Sequence, residues 1–374
     1  MPNAQCPMPN AQCPMPNAQC PMTNLIPKQL RKNKQQRYKL LMVAMVMILL
    51  VSMTLAVMIG PVPIPPLRVW QIALSQVFPK VTGDWTQAQV QIVWLIRFPR
   101  VLLAFFVGAG LSVVGVIMQA LVRNPLADPF ILGISSGASV GAVLVILFGI
   151  FSFFGVYALS FGAFLGALLA FFVVFFLARR QGHLSSTRLI LIGVAVSSLF
   201  EAVTSFLAIK AGSGEATRRV LFWLLGGLSG TTWTDLILPV LALFLGIGYL
   251  LLQTRSLNAL LIGEETARTL GTDTDRFRKQ LFFVTSLLTG VIVAVSGVIG
   301  FVGLMIPHSV RFLVGSDHRR VLPVSLLLGG IFLIWADVLA RTIVAPEELP
   351  IGIITALFGA PFFIWLMQGK GGRK

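Results

Sequence analysis

Apolar residues arrive in blocks of about 20, the length at which an α-helix crosses the hydrocarbon core of a bilayer, and the polar breaks between blocks are mostly short. Such blocks cannot all be buried in one water-soluble core. Of the 374 residues 56% are apolar and 11% charged, whereas a soluble chain carries about a quarter charged. The chain is therefore read as an all-α, polytopic membrane protein. The pattern predicts transmembrane helices near residues 40–60, 101–121, 130–150, 156–178, 189–209, 233–253, 281–303, 304–315, 321–343 and 351–368, ten in all. The eighth is about half a normal span and is expected to be a broken or re-entrant helix bounded by Pro307.

Charge supplies the orientation. The formal net charge is +16, and with ten spans both termini lie on one side. The termini and the connections on their side hold 20 Lys and Arg, including Arg123, Arg179, Arg276 and Arg319. The opposite connections hold 8, namely Arg68, Lys80, Arg97, Arg100, Lys210, Arg218, Arg219 and Arg341. The richer side is the cytoplasm. The basic character thus has a membrane explanation, and no nucleic-acid partner is expected. Residues 1–21 are a threefold MPNAQCP repeat holding all three cysteines, Cys6, Cys13 and Cys20. It is read as a disordered extension or a start-site artefact, with Met22 as the natural beginning. Residues 22–39 form a basic cytoplasmic N-terminus, 40–368 the transmembrane domain and 369–374 a cytoplasmic tail.

Gly115, Val116, Ile117 and Pro125 recur at the same separation as Gly297, Val298, Ile299 and Pro307. The copies begin on spans two and seven, so an inverted internal repeat is expected. Gly133, Gly137 and Gly141 leave one face of the third span almost without side chains, either for close helix packing or as the smooth wall of a wide pathway. Residues 254–280 are the longest polar connection, yet Leu257, Leu260, Leu261, Ala267 and Leu270 have helical spacing, with Gly263 and Gly271 placed to break two short helices. The mixed charges of Glu264, Glu265, Arg268, Asp273 and Asp275 suit a protein groove better than anionic lipid.

Six blocks then become specific: RFPR at Arg97–Arg100, QALVRNPLADPFILGISSGASVG from Gln119, IGEETARTLG from Ile262, GFVGLMIPH from Gly300, DHRR from Asp317, and ELPIGIITALFGAPFFIWL from Glu348. Together they resemble the permease subunits of iron-siderophore and vitamin B12 ABC importers, the FecCD type, from Tyr38 to the C-terminus. The resemblance implies a type II importer permease in the bacterial cytoplasmic membrane, paired with a second copy or a paralogue. Two ATPase subunits would lie below and a solute-binding protein above. Gly263, Glu264, Glu265, Ala267, Arg268, Leu270 and Gly271 would be the ATPase-coupling contacts, and Arg97, Arg100 and Arg341 would dock carboxylates of the binding protein. Ser186 and Thr187, after Ser185, match the cytoplasmic gate, although helix capping also explains such a run.

No phosphate loop of the G-x-x-x-x-G-K-[ST] type occurs, and Lys370 in GKGG lacks the following Ser or Thr, so ATP hydrolysis is assigned to another polypeptide. No catalytic residue, metal site or cofactor is expected. His308 has no second ligand at metal spacing. Asp337 and Arg341, one turn apart, are expected to pair. Glu201 falls near the middle of span five, where a carboxylate must face protein or a cavity. With the inverted repeat, it is the only support for a rival reading as a proton-coupled secondary transporter. The expected cargo is an iron(III)-siderophore, with vitamin B12 or haem as the alternative.

Overall fold

In a bilayer the backbone finds no partner but itself, and helix is the way these blocks satisfy it. The computed structural model describes residues 28–60, 62–78, 83–180, 183–184, 186–211 and 213–369. The MPNAQCP repeat, Ser185 and the tail from Lys370 lie outside them. In chain order the helices are α1 (Lys28–Met58), α2 (Pro66–Val77), α3 (Gln87–Val90), α4 (Phe98–Val122), α5 (Ile134–Phe148), α6 (Ala158–Ala178), α7 (Ser186–Ile209) and α8 (Gly214–Leu224). They continue as α9 (Ile237–Leu252), α10 (Thr254–Ile262), α11 (Glu264–Thr269), α12 (Thr274–Ser296), α13 (Val302–Val314), α14 (His318–Thr342) and α15 (Ile351–Gly369). A pair of two-residue strands, β1 (Arg179–Arg180) and β2 (His183–Leu184), joins α6 to α7. Residues 28–41, the start of α1, form a unit apart from the rest and are helical, so the expected N-terminal flank continues the first span.

Eight helical segments are long and apolar enough to cross a membrane, and α5 and α13 are shorter apolar helices. These ten elements correspond to the ten expected spans, with differences that have local causes. Helix begins at Gln87 rather than 101, because a π-helical stretch, Gln91–Arg97, leads into α4. Pro99 lacks the N–H that regular helix would need there, and the wider turn absorbs it. RFPR is thus inside a helix instead of in a loop. Helix α12 starts seven residues early because Asp273 caps it, accepting from Arg276 N at 3.0 Å. Pro307 does not bound the eighth element but lies within α13. The carbonyl it leaves without a helical donor, on Gly303, accepts from Gln119 Nε2 at 3.4 Å.

Among the ten, α4, α14 and α12 are the most enclosed, while α1, α7, α9 and α15 are peripheral. The packing repeats with a period of five spans. Helix α4 packs on α14 and α13 as α12 packs on α6 and α5; α5 meets α6 and α7 as α13 meets α14 and α15. Both short elements are third in their set of five, which gives an inverted repeat in space. The four-residue match offered from sequence is not its register, because Gly115 lies inside α4 whereas Gly297 ends α12 at φ +66°.

Close approach of backbones makes this packing possible. A Cβ at Gly115 would stand 1.9 Å from Gly303 O, so α4 and α13 touch main chain to main chain. Gly115→Ala is expected to separate these helices and lower the melting temperature in detergent by several degrees, through an overpacking cost of about 1–3 kcal/mol. Gly248→Ala in α9, where an added Cβ meets nothing within 4 Å, is expected to leave it unchanged or slightly higher.

Candidate functional site

The cytoplasmic connection folds as two short helices held from above. Leu257 and Leu260 are buried, and Asn258 ties α10 to α14 by donating to Asp317 Oδ1 at 2.7 Å and accepting from His318 N at 2.9 Å. Gly263, at φ +151°, separates α10 from α11, and Gly271 at φ +83° ends the second turn. Glu264 is the hub. Its Oε2 faces Arg123 Nη2 at 3.5 Å and Arg278 Nη1 at 3.4 Å, and its Oε1 faces Arg268 Nη2 at 3.3 Å. Buried Arg278 also donates through Nη2 to Leu121 O at 3.0 Å, so one guanidinium joins α11 to the end of α4.

This divides the seven expected coupling contacts. Glu265, Arg268, Leu270 and Gly271 are exposed, Gly263 and Glu264 are half-buried, and Ala267 is fully buried against the chain, which corrects its assignment as a contact. Leu261 and Ile262, not expected as contacts, are 50% and 71% exposed. Their signal in the sequence was a pair of aliphatics immediately before the breaking glycine.

The outer arginines require a larger correction. Arg97, Arg100 and Arg341 are 5%, 7% and 7% exposed, and each is engaged within the chain. Arg97 donates to the carbonyls of Val57, Met58 and Val62 at 2.9, 3.1 and 2.7 Å, closing the end of α1. Arg100 Nε reaches Asp337 Oδ1 at 2.9 Å, while its Nη1 reaches Glu348 Oε1 at 2.8 Å. Arg341 donates to Ala56 O at 2.5 Å and its Nε stands 3.6 Å from Asp337 Oδ2. Asp337 therefore pairs with two arginines, the expected Arg341 and the unexpected Arg100. A docking role for these three is not open to them in this geometry. Arginines at a span end do not reveal from sequence whether they point outward or along the helix into the protein.

The small-residue face of α5 is filled. A Cβ at Gly137 would lie 2.4 Å from Gly166 O and one at Gly141 2.1 Å from Gly162 O, so these glycines seat α5 on α6 instead of lining a pathway. Gly133, at φ +77°, precedes α5 and faces Gly193 of α7. Asp128, in the turn before it, accepts from Phe130 N at 2.9 Å, and burial pushes its carboxyl up to about 6. Thr187 is exposed in the first turn of α7, behind Ser186, whose backbone opens the helix. Glu201 is exposed further along α7, its Oε1 3.4 Å from Ser136 Oγ. His308 packs edge-on against Phe312.

Removing one partner of a buried ion pair leaves the other without compensation, at a cost of about 3–5 kcal/mol. Asp337→Asn should therefore lower thermal stability in detergent far more than Glu348→Gln, whose carboxylate side chain is 40% exposed and whose pair is worth about 1 kcal/mol or less. Equal losses would show that the buried and rim carboxylates are equivalent. Glu264→Gln should keep the fold but free α11, raising tryptic cleavage at Arg268 and Arg276 several-fold; unchanged cleavage would mean the hub holds nothing.

Comparison with known proteins places the fold in a family. Residues 48–369 match the model of the FecCD transport family. The chain is 45% identical over 311 residues to the cobalamin import system permease protein BtuC of Halobacterium salinarum, covering 83% of this chain and 81% of that one. It is 42% identical to the hemin transport system permease protein HmuU of Yersinia pestis, covering 79% and 89%. A solved ABC transporter described as of metal-chelate type, in an inward-facing conformation, superposes with a TM-score of 0.77 at 32% identity, covering 88% of this chain and 99% of that one. The chain belongs to the FecCD transport family and is a multi-pass permease subunit of an ABC importer, a transport component whose ATP is hydrolysed by a separate subunit.

Proposed function

We propose that this permease moves a large metal chelate inward through a pathway formed with a second copy or paralogue, driven by ATPase subunits seated on α10 and α11. The observation that carries the reading is the cytoplasmic element itself. It presents Ile262, Glu265, Arg268 and Leu270 outward, while Glu264 and Arg278 bind it to the ends of α4 and α12. Pressure on it reaches the membrane helices without passing through a slack linker. The peripheral spans α7 and α15 leave large apolar side chains uncovered, among them Leu199, Phe206, Leu357 and Trp365, as a permease partner would require.

For the cargo, the relatives named for cobalamin and hemin favour a tetrapyrrole-type chelate, with the iron(III)-siderophore expected from sequence as the second candidate. A solute-binding protein is placed over the outer loops. With Arg97, Arg100 and Arg341 engaged internally, its docking charges are the exposed Lys210, Arg218 and Arg219 with Glu347.

Proteoliposomes holding the permease, its ATPase subunit and its binding protein test this. Cyanocobalamin, haem or a ferric siderophore should accumulate with ATP and be indifferent to a protonophore. Leu270→Asp combined with Glu265→Arg should reduce both co-purification of the ATPase and uptake at least tenfold. Normal co-purification of that variant, or uptake abolished by the protonophore with ATP present, would overturn the proposal.

A further inference from the structure

Helix α7 carries a polar stripe that the fold does not use. Thr187, Ser198, Glu201 and Ser205 are exposed and recur at intervals of eleven, three and four residues, which places them along one side of the helix. Glu201 lies about 5 Å from the middle of α7, taking 1.5 Å per residue. The neighbouring arc is different in kind. Leu199 is 62% and Phe206 60% exposed, a surface suited to lipid or to an apolar partner.

A carboxylate near mid-span is costly against lipid and faces protein or a water-filled cavity in almost all cases. On α7 itself Arg188 and Lys210 lie at the two ends and on other sides of the helix, so neither reaches Glu201. The only hydrogen bond Glu201 has among the described residues is the long one from Ser136 Oγ, at 3.4 Å.

A second observation points to the same place. Thr204 and Ser197 stand three and four residues from Glu201, on its side of α7, and Ser135 adjoins Ser136 on α5. The hydroxyl oxygens of all three are buried with no hydrogen-bond partner in the chain; Thr204 is 5% and Ser135 3% exposed. Buried hydroxyls are almost always satisfied, so orphans on the two helices that meet at the Ser136–Glu201 contact mark a region where water or a ligand completes the bonding.

We infer that Glu201, with Ser136, Ser198 and Ser205, is a cargo-contacting station on the pathway wall, selective for chelates whose rims carry N–H or O–H donors or positive charge and unfavourable to polyanionic ones. The inference rests on the importer reading for the existence of a pathway. The chemistry of the station is independent of it. An ionised carboxylate only accepts hydrogen bonds, so it rewards donors and repels carboxylate or catecholate rims. The hydroxyls on either side adapt to either role.

Charge-selective thiol labelling tests the station without knowledge of the cargo. In the full chain, with Cys6, Cys13 and Cys20 changed to Ser, the variants Ser198→Cys, Ser205→Cys and Leu199→Cys are reconstituted with the ATPase subunit and treated with a cationic or an anionic methanethiosulfonate. Ser198→Cys and Ser205→Cys should react, and the cationic reagent should be favoured about tenfold beyond its preference for free 2-mercaptoethanol. Adding Glu201→Gln should bring that preference back toward the free-thiol value. Leu199→Cys should react poorly with both reagents. Stripe thiols as inert as Leu199→Cys, or a preference that Glu201→Gln does not move, would overturn the station. If instead the preference falls with Glu201→Gln while labelling ignores ATP, the station stands and the importer reading fails.

Discussion

Main-chain contact between helices is the constraint on which the rest of the molecule depends. Hydrocarbon gives apolar side chains no reason to leave it for one another, so helices associate where their surfaces fit closely. Helix α4 achieves this at two levels along one face. Gly108 lies against Gly329 O of α14, and Gly115 against Gly303 O of α13. Ser112 Oγ donates to Ser325 O at 2.7 Å between them. Helix α12 approaches α6 closely in its turn, with Gly290 against the Cβ of Ala167. Once α4 and α12 are fixed at the centre, the short helices α5 and α13 and the peripheral spans have defined places to pack.

Buried charge is handled by the same logic. Asp337 sits 1% exposed, and the protein answers it with Arg100 on α4 and Arg341 one turn along α14. Gln119 serves two needs at once, donating toward the carbonyls that Pro307 disturbs and accepting from Arg311. The place of these polar residues in short motifs could be taken for contacts with something outside. Their geometry shows them holding helix ends together.

Much of the architecture was legible in advance, because the physics that decides it is local. Blocks of about 20 apolar residues read as spans, the shortened eighth element read as short, and Gly263 and Gly271 read as breaks between small helices. What was not legible depends on neighbours. Nothing in RFPR reveals that Arg97 turns back onto the end of α1, or that Arg100 meets a carboxylate 237 residues further on. The helices α2 and α8, in loops read as plain connections, escaped because they are too short and too mixed to look like spans. Glycines 137 and 141 announced a smooth face, but whether backbone or passage lies against it is settled only by where α6 runs.

The helical segment from Gln87 to Val122 runs 36 residues, carried past Pro99 by the π-helical turn, and it is clasped electrostatically at Arg97–Arg100 and at its inner end. Outside, Arg97 and Arg100 fasten it to α1 and α14; inside, Arg278 grips the Leu121 carbonyl together with Glu264. It is built like a connecting rod. A displacement begun beneath the membrane would arrive at the far surface as a shift of the whole shaft, so opening below and closing above would be one movement rather than two events relayed in turn.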